Sequence, residues 1–312
     1  MPEGCSHEDR PPRTAGLCAG ERTAAAVAAT VARMQVTLWG TRGSLATPDP
    51  QMARYGGNTS CVGVAGREGT LLILDAGTGI RRLAAAIAPN VRRVDILLTH
   101  LHMDHIQGLG FFTPLFRPDV EVHVWGPGST TLGLKARLMR YLSPPLFPVS
   151  LSELPQLFFH EVPCGEVDIG EFRVCSALVC HPGPTVGYRI TESDSRVLTY
   201  LPDHEPALAA LRFPCLPREW TSGGTLAAGA DLLIHDSQYS AAEYPGHCGW
   251  GHSSLDQTLD FGTLAEVKRL VPFHHDPYHI DTEIDAITAR AIDARKPAYP
   301  VSPGTEGSTF HL

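Results

Sequence analysis

Residues 94–109 read VDILLTHLHMDHIQGL, an apolar run that opens into four ligand-type side chains, His100, His102, Asp104 and His105. Val94–Thr99 has the length and composition of a buried strand. Where a chain leaves a strand extended, residues two apart point to the same side. His100 and His102 can therefore grip one cation while Asp104 and His105 turn toward a neighbouring one. Imidazole mixed with carboxylate suits zinc, iron or manganese better than calcium. The competing reading is a polar turn whose histidines only cap backbone groups.

Working outward, short apolar or alternating runs recur at Gln35–Trp39, Cys61–Ala65, Thr70–Asp75, Glu121–Trp125, Phe172–Val179, Val186–Thr191, Val197–Leu201, Leu232–His235 and Arg269–Phe273, and read as strands. Helical patterns lie between some of them, at Ile80–Ile87, Thr130–Tyr141, Pro206–Leu211, Ser254–Leu264 and Thr282–Ala294, with Pro206 at a first helical position and Asp281 as an N-cap. The order is strand-rich and lacks the strict alternation of a doubly wound parallel sheet. It predicts an α/β (α+β) chain in which two sheets are flanked by helices. The proline-punctuated segment Leu142–Pro155 reads as an irregular insertion, a lid over a site or a dimer contact. Residues 1–33 show no strand periodicity, which predicts a poorly ordered extension before one domain over 34–312, with Met34 a candidate initiator.

Composition narrows the function classes. With 43% hydrophobic and 19% charged residues the chain is too apolar for disorder, and 30 glycines with 26 prolines imply many turns. Twenty-five basic against 33 acidic residues give a formal charge of −8, so no global basic footprint exists to track a phosphate backbone. Extended nucleic acid is not an expected partner. Eight cysteines without a CxxC pair point to a reducing cytoplasm, and no apolar run reaches the roughly 18 residues of a membrane span.

His100–His105, HLHMDH, resembles the HxHxDH signature of the metallo-β-lactamase superfamily. WGTRGSLATPDP (39–50), YGGNTSCVGV (55–64), LLILDAGTGIRRL (71–83), GYRI (187–190) and FHHDP (273–277) resemble its bacterial phosphodiesterase-like branch, which also includes RNase Z; the likeness covers residues 35–280. The resemblance implies a four-layer αββα sandwich with a dinuclear site at one edge of the sheets. It implies two divalent metal ions, Zn2+ with Mn2+ or Fe2+ as alternatives. It adds His181 to the first metal, makes Asp203 the bridging carboxylate where zinc β-lactamases usually carry cysteine, and ends the set with His274. His204 competes with Asp203, because PDH departs from the usual GD pattern. His275 is the runner-up to His274, since adjacent residues leaving a strand point oppositely.

DLLIHDSQY (231–239) and GHCGWGHSS (246–254) resemble the paired acid and histidine motifs of the same branch. By that likeness Asp236 orients His252, and His252 contacts the phosphate or protonates the leaving alkoxide, with Asp104 able to orient the hydroxide and His247 a weaker substitute for His252. The bland alternative is a strand-end aspartate and a helix-capping GHSS. The expected activity is hydrolysis of a cyclic nucleotide or other small phosphodiester by a hydroxide bridging the metals. Rivals are an RNase Z-like tRNA 3′ endonuclease, a thioester, lactone or lactam hydrolase, and a non-catalytic metal-binding module. The expected partner is a small phosphodiester rather than a membrane, and a homodimer stays open.

The remaining signals read as structure. Gly77-Thr78-Gly79 lacks the third glycine of a dinucleotide fingerprint, because Arg82 stands there, and is a tight turn. Asn58 is a turn residue in preference to a substrate contact, and His123 a half-buried strand residue. Lys135, Arg137 and Arg140 read as a solvated helix face in preference to a phosphate grip, and His160 and His279 carry no role.

Overall fold

The computed structural model describes residues 33–154, 156–162, 164–192, 196–211, 213 and 216–312. The expected N-terminal extension lies outside the described residues except for Arg33, as does Pro155 of the proline-rich segment. Along the chain come β1 (Gln35–Gly40), β2 (Cys61–Ala65), β3 (Leu71–Leu74), β4 (Arg93–Leu97), β5 (Glu121–Pro127) and β6 (Leu157–Val162). They are followed by β7 (Gly165–Ile169), β8 (Phe172–Leu178), β9 (Val186–Thr191), β10 (Val197–Leu201), β11 (Leu232–Asp236), β12 (Leu270–Phe273) and β13 (Thr309–His311). One sheet has the order β13-β1-β2-β3-β4-β5-β6 and the other β12-β11-β10-β9-β8-β7. Helices α1 (Ile80–Ala86), α2 (Met103–Ile106), α3 (Leu134–Leu138), α4 (Gly224–Ala227), α5 (Leu255–Leu264) and α6 (Asp281–Arg295) lie on the outer faces or at the strand ends.

Period-two alternation in the strands sorts their side chains into separate cores. Val36, Leu38, Leu72 and Leu74 of the first sheet meet Val174, Ile190, Leu198, Leu232 and Val271 of the second in the central layer. The opposite face of the first sheet, with Ile73, Ile96, Val122 and Val124, packs against Leu83 of α1 and Leu138 of α3. Leu233 and Leu270 of the second sheet pack against Leu226 of α4, Leu259 of α5 and Ala291 of α6. Central strands thus bury both faces, which is why β3 reads as an unbroken apolar run, and each buried Leu, Val or Ile contributes about 1.5–3 kcal/mol. The fold is the four-layer αββα sandwich. Two tyrosines tie its sheets together: Tyr188 donates to the Leu98 carbonyl at 2.7 Å and Tyr200 to Asp75 Oδ2 at 3.0 Å.

In three places the sequence pattern misleads. Thr130–Tyr141 shrinks to α3, which begins only after Gly133. Pro206–Leu211 forms turns rather than a helix: Ala209 takes φ of 59°, and its N–H donates to Glu205 instead of to a helical carbonyl. Asp281 is the first residue of α6 and not its cap; Glu283 accepts the Ile280 N–H, while Asp281 accepts the N–H groups of Arg54 and Tyr55. Strands β6, β7 and β13 were not expected.

Parallel pairing aligns strand ends. β3, β4 and β5 run parallel, as do β10, β11 and β12, so the segments following β4, β10, β11 and β12 all emerge at one edge of the sandwich. Carboxyl ends of parallel strands are where crevices form. No described helix is long and apolar enough to cross a membrane.

Candidate metal centre

That edge gathers side chains from four chain segments into two clusters. His100, His102, His181 and Asp203 bring one ligand atom each to within 4.8 Å of one another, and Asp104, His105, Asp203 and His274 do the same. Asp203, at the exit of β10, belongs to both. Its Oδ2 lies 3.7 Å from His100 Nε2, 3.7 Å from His181 Nε2 and 3.4 Å from His274 Nε2, while its Oδ1 lies 2.9 Å from His105 Nε2. Asp104 Oδ2 stands 3.2 Å from His274 Nε2 and 3.3 Å from His105 Nε2. All seven residues taken from the sequence as ligands meet here.

Each imidazole is aimed by what its other nitrogen touches. His181 Nδ1 donates to the Gly251 carbonyl at 2.8 Å, His274 Nδ1 to Gln238 Oε1 at 3.1 Å, and His105 Nδ1 to Asp75 Oδ2 at 2.8 Å. Thr99 Oγ1 lies 3.0 Å from His100 Nδ1. Such partners fix the tautomer and turn the remaining nitrogen toward a cation. His274 needs a left-handed backbone, φ 59°, and its ring occupies the space a side chain would take at Gly43, where a Cβ would fall 2.3 Å from Nδ1. Gly251 combines φ of 88° with a similar approach, a Cβ there lying 2.7 Å from His181 Nδ1.

The donor set fits divalent cations. His100 Nε2, His105 Nε2 and Asp203 Oδ1 are buried and make no hydrogen bond among the described residues, although the last two face each other. Burial, with the neighbouring imidazoles, holds His100 well below the usual histidine range, so it is a neutral donor. Burial raises the carboxyl of Asp203, but the facing imidazoles, His105 foremost, outweigh it and keep the group well below its ordinary value. A neutral imidazole and a fixed carboxylate are the donors that zinc, manganese or iron takes.

Beside the clusters stands a carboxylate–imidazole pair. His252 Nδ1 lies 2.6 Å from Asp236 Oδ2, and the His252 ring stacks on His274 with centroids 4.9 Å apart. Asp236 also accepts from the N–H groups of His204, Gln238 and Ser253, so its lone pairs are engaged within the protein. Burial disfavours a charged His252, yet Asp236, helped by Asp203 and Asp104, raises it to about 9. Cations in the clusters act in the opposite sense. The helix-capping reading of GHSS holds as well: Ser254 and Gln257 form a capping box at the start of α5, two residues beyond His252.

The runners-up point elsewhere. His275 Nε2 is 2.9 Å from the Gly304 carbonyl, and His204 Nδ1 is 2.9 Å from His235 Nε2. His247 stacks on Tyr239. Asn58 is held by Glu306 through its backbone N–H and its Nδ2, and His123 stacks between Phe158 and His160 in the first sheet. Lys135 and Arg140 are exposed, as a solvated face requires, with Lys135 over the Phe159 ring; Arg137 is half-buried, and both arginines border a cavity of about 640 Å³ that His100 and His102 also line. Four supporting residues escaped sequence reasoning, Asp75, Gln238, Glu205 and Gly251. Of these, Asp75 alone carried a signal, an aspartate ending an apolar strand.

Residues 70–275 match the family model described as Beta-lactamase superfamily domain. This chain belongs to the β-lactamase superfamily. Within the superfamily, ribonuclease Z of Mycobacterium sp. (strain KMS) is 28% identical over 264 residues, covering 78% of this chain and 85% of that protein. The metallo-β-lactamase-fold protein YhfI of Bacillus subtilis superposes with a TM-score of 0.63 at 15% identity, over 89% of this chain and 99% of that one. A diphosphatase of the PhnP family gives 0.63 at 18% identity, over 90% and 97%. The chain has the metallo-β-lactamase fold and is similar to ribonuclease Z, and its histidine–aspartate clusters fit a metal site.

Proposed function

We propose that this superfamily member is a dinuclear metal-dependent phosphodiesterase acting on a cyclic nucleotide or another small phosphodiester. The observation that carries the reading is the Asp236–His252 pair against two clusters that share Asp203. His100, His102, His181 and Asp203 would hold one cation, and Asp104, His105, Asp203 and His274 the other. When bound, divalent cations, Zn2+ by donor chemistry with Mn2+ or Fe2+ as alternatives, neutralise phosphoryl oxygens and bring the acidity of an attacking water toward neutrality. Asp236 keeps a proton on His252 Nδ1 and leaves Nε2 to contact the phosphate and protonate the departing alkoxide. Asp104 orients the attacking water through whichever oxygen lone pair stays free. The glycine loop and the ring stack of His252 on His274 keep that imidazole in register with the clusters.

Asp203 in place of a cysteine, and a pair with no evident task in lactam or thioester cleavage, support phosphodiester over those substrates. The cavity of about 640 Å³ has the size of a small-ligand site, and the formal charge of −8 supports a small substrate in a cytoplasmic setting. Hydrolysis of bis-p-nitrophenyl phosphate by metal-loaded protein, abolished by Asp203→Ala, tests the reading; no turnover with any divalent metal overturns it. A second reading, tRNA 3′ processing, is favoured by the likeness to ribonuclease Z. Cleavage of a 3′-extended precursor tRNA, with binding that falls steeply with salt, would establish it in place of the first.

A further inference from the structure

The cavity beside the first cluster has an uneven chemistry. Met103, Ile106, Tyr141, Leu146, Pro182 and Pro184 give it apolar walls, and two guanidinium groups, Arg137 and Arg140, also border it, without any carboxylate among its lining residues. Arg137 is half-buried; one of its terminal nitrogens donates to the Pro127 carbonyl, and its Nε is buried without a hydrogen-bond partner among the described residues. Burial lowers the Arg137 pKa, and Glu161 of β6 is the carboxylate that acts against this; Glu161 itself accepts the Leu134 N–H. Arg140, exposed in the turn after α3, has no ion pair or side-chain hydrogen bond among the described residues. A partly desolvated guanidinium anchored at Pro127, beside a second one without a protein partner among the described residues, can offer paired N–H groups to two oxygens of a tetrahedral phosphate.

We propose that Arg137 and Arg140 form a second anion subsite, which selects phosphodiesters carrying a further phosphate group on the part of the substrate held in the cavity. This rests on the phosphodiesterase reading for the reacting phosphate, which sits at the clusters. The sugar and base, or an equivalent apolar group, pack against Tyr141, Ile106 and the prolines, and the second phosphate reaches the two arginines. Arg137, fixed through Pro127, sets the position, and Arg140 closes on the ligand from the solvent side. The selectivity follows from charge: a neutral group in place of the second phosphate forgoes the charge-assisted hydrogen bonds to the two guanidinium groups.

The test compares thymidine 5′-(p-nitrophenyl phosphate) with its 3′-phosphorylated counterpart, two substrates that differ only by the second phosphate. Metal-loaded wild type should prefer the 3′-phosphorylated form in kcat/KM by about tenfold or more, and Arg137→Ala and Arg140→Ala should each bring the ratio toward one. Because the ratio is internal to each protein, a loss of folded enzyme does not move it. A wild-type ratio near one, or a ratio unchanged in both variants, overturns the subsite. If no phosphodiester is turned over, the underlying reading fails, and the subsite is judged by calorimetry of metal-loaded protein. Thymidine 3′,5′-bisphosphate should then bind about tenfold tighter than thymidine 5′-phosphate in wild type and equally in the variants, and equal binding in wild type overturns it.

Discussion

His252 and Asp236 are joined by a 2.6 Å hydrogen bond between Nδ1 and Oδ2, and the same aspartate accepts three backbone N–H groups that hold it still. A general acid supplied this way matters most when the leaving group is a poor one. Asp236→Asn and His252→Gln should therefore lower kcat by roughly 100-fold or more on an alkyl-leaving phosphodiester and far less on a p-nitrophenyl ester. Rates across a series of leaving groups check this. Equal losses across the series would show that the pair does not donate the proton.

Glu205, fully buried, organises the loop that carries His252. Its Oε1 accepts the N–H groups of Ala209 at 3.0 Å and Gly249 at 2.9 Å together with the Tyr244 hydroxyl, and its Oε2 accepts the Gly251 N–H at 2.9 Å. Gly251 in turn accepts from His181, so one carboxylate steadies both a cluster histidine and the strand-side entry to α5. Glu205→Ala should cost about 2 kcal/mol or more in urea unfolding and weaken metal affinity; Glu205→Gln, which keeps one acceptor oxygen, should cost less. Equal stability of wild type and Glu205→Ala would contradict the role.

His235 couples stability to acid. Burial pushes it from 6.5 down to about 4, against the Asp236 carbonyl and charge, and its Nε2 lies 2.9 Å from His204 Nδ1 while Phe261 packs on the ring. The folded pKa is depressed, so between pH 6.5 and 4 the unfolded chain binds more protons. Stability is then full above 6.5 and is lost as pH falls toward 4, on the order of 3 kcal/mol for this group. In chelator, so that metal release does not intervene, His235→Gln should show a shallower fall in unfolding free energy over that window than wild type. Parallel curves would contradict it.

The residues of the two clusters were legible because strand ends announce them. His100 to His105 are contiguous, and Asp203 and His274 each follow an apolar strand, so the sheet carries the geometry that local pattern implies. The resemblance already favoured His274 over His275; the fold supplies the reason, a left-handed turn at His274 that sends the first ring to Asp203 and the second to Gly304. Asp75, Gln238, Glu205 and Gly251 act through partners tens to more than a hundred residues away, and no local spacing marks such bonds. Strands β6 and β7 escaped notice at the sheet edges: His160 and Glu161 break the apolar run of β6, and β7 offers only Val167 and Ile169 as apolar positions. That Arg137 and Arg140 border the cavity was not legible, because charge on a short helix says nothing about which way the helix faces.

The central claim is that Asp203 joins two cation sites. Metal content per chain, measured by elemental analysis on wild type and Asp203→Ala after equilibration with zinc, tests it most directly. The account predicts one ion for each of the two clusters in wild type, and loss of metal together with phosphodiester hydrolysis in the variant. Full metal content in Asp203→Ala, or undiminished turnover by metal-free protein, would contradict it.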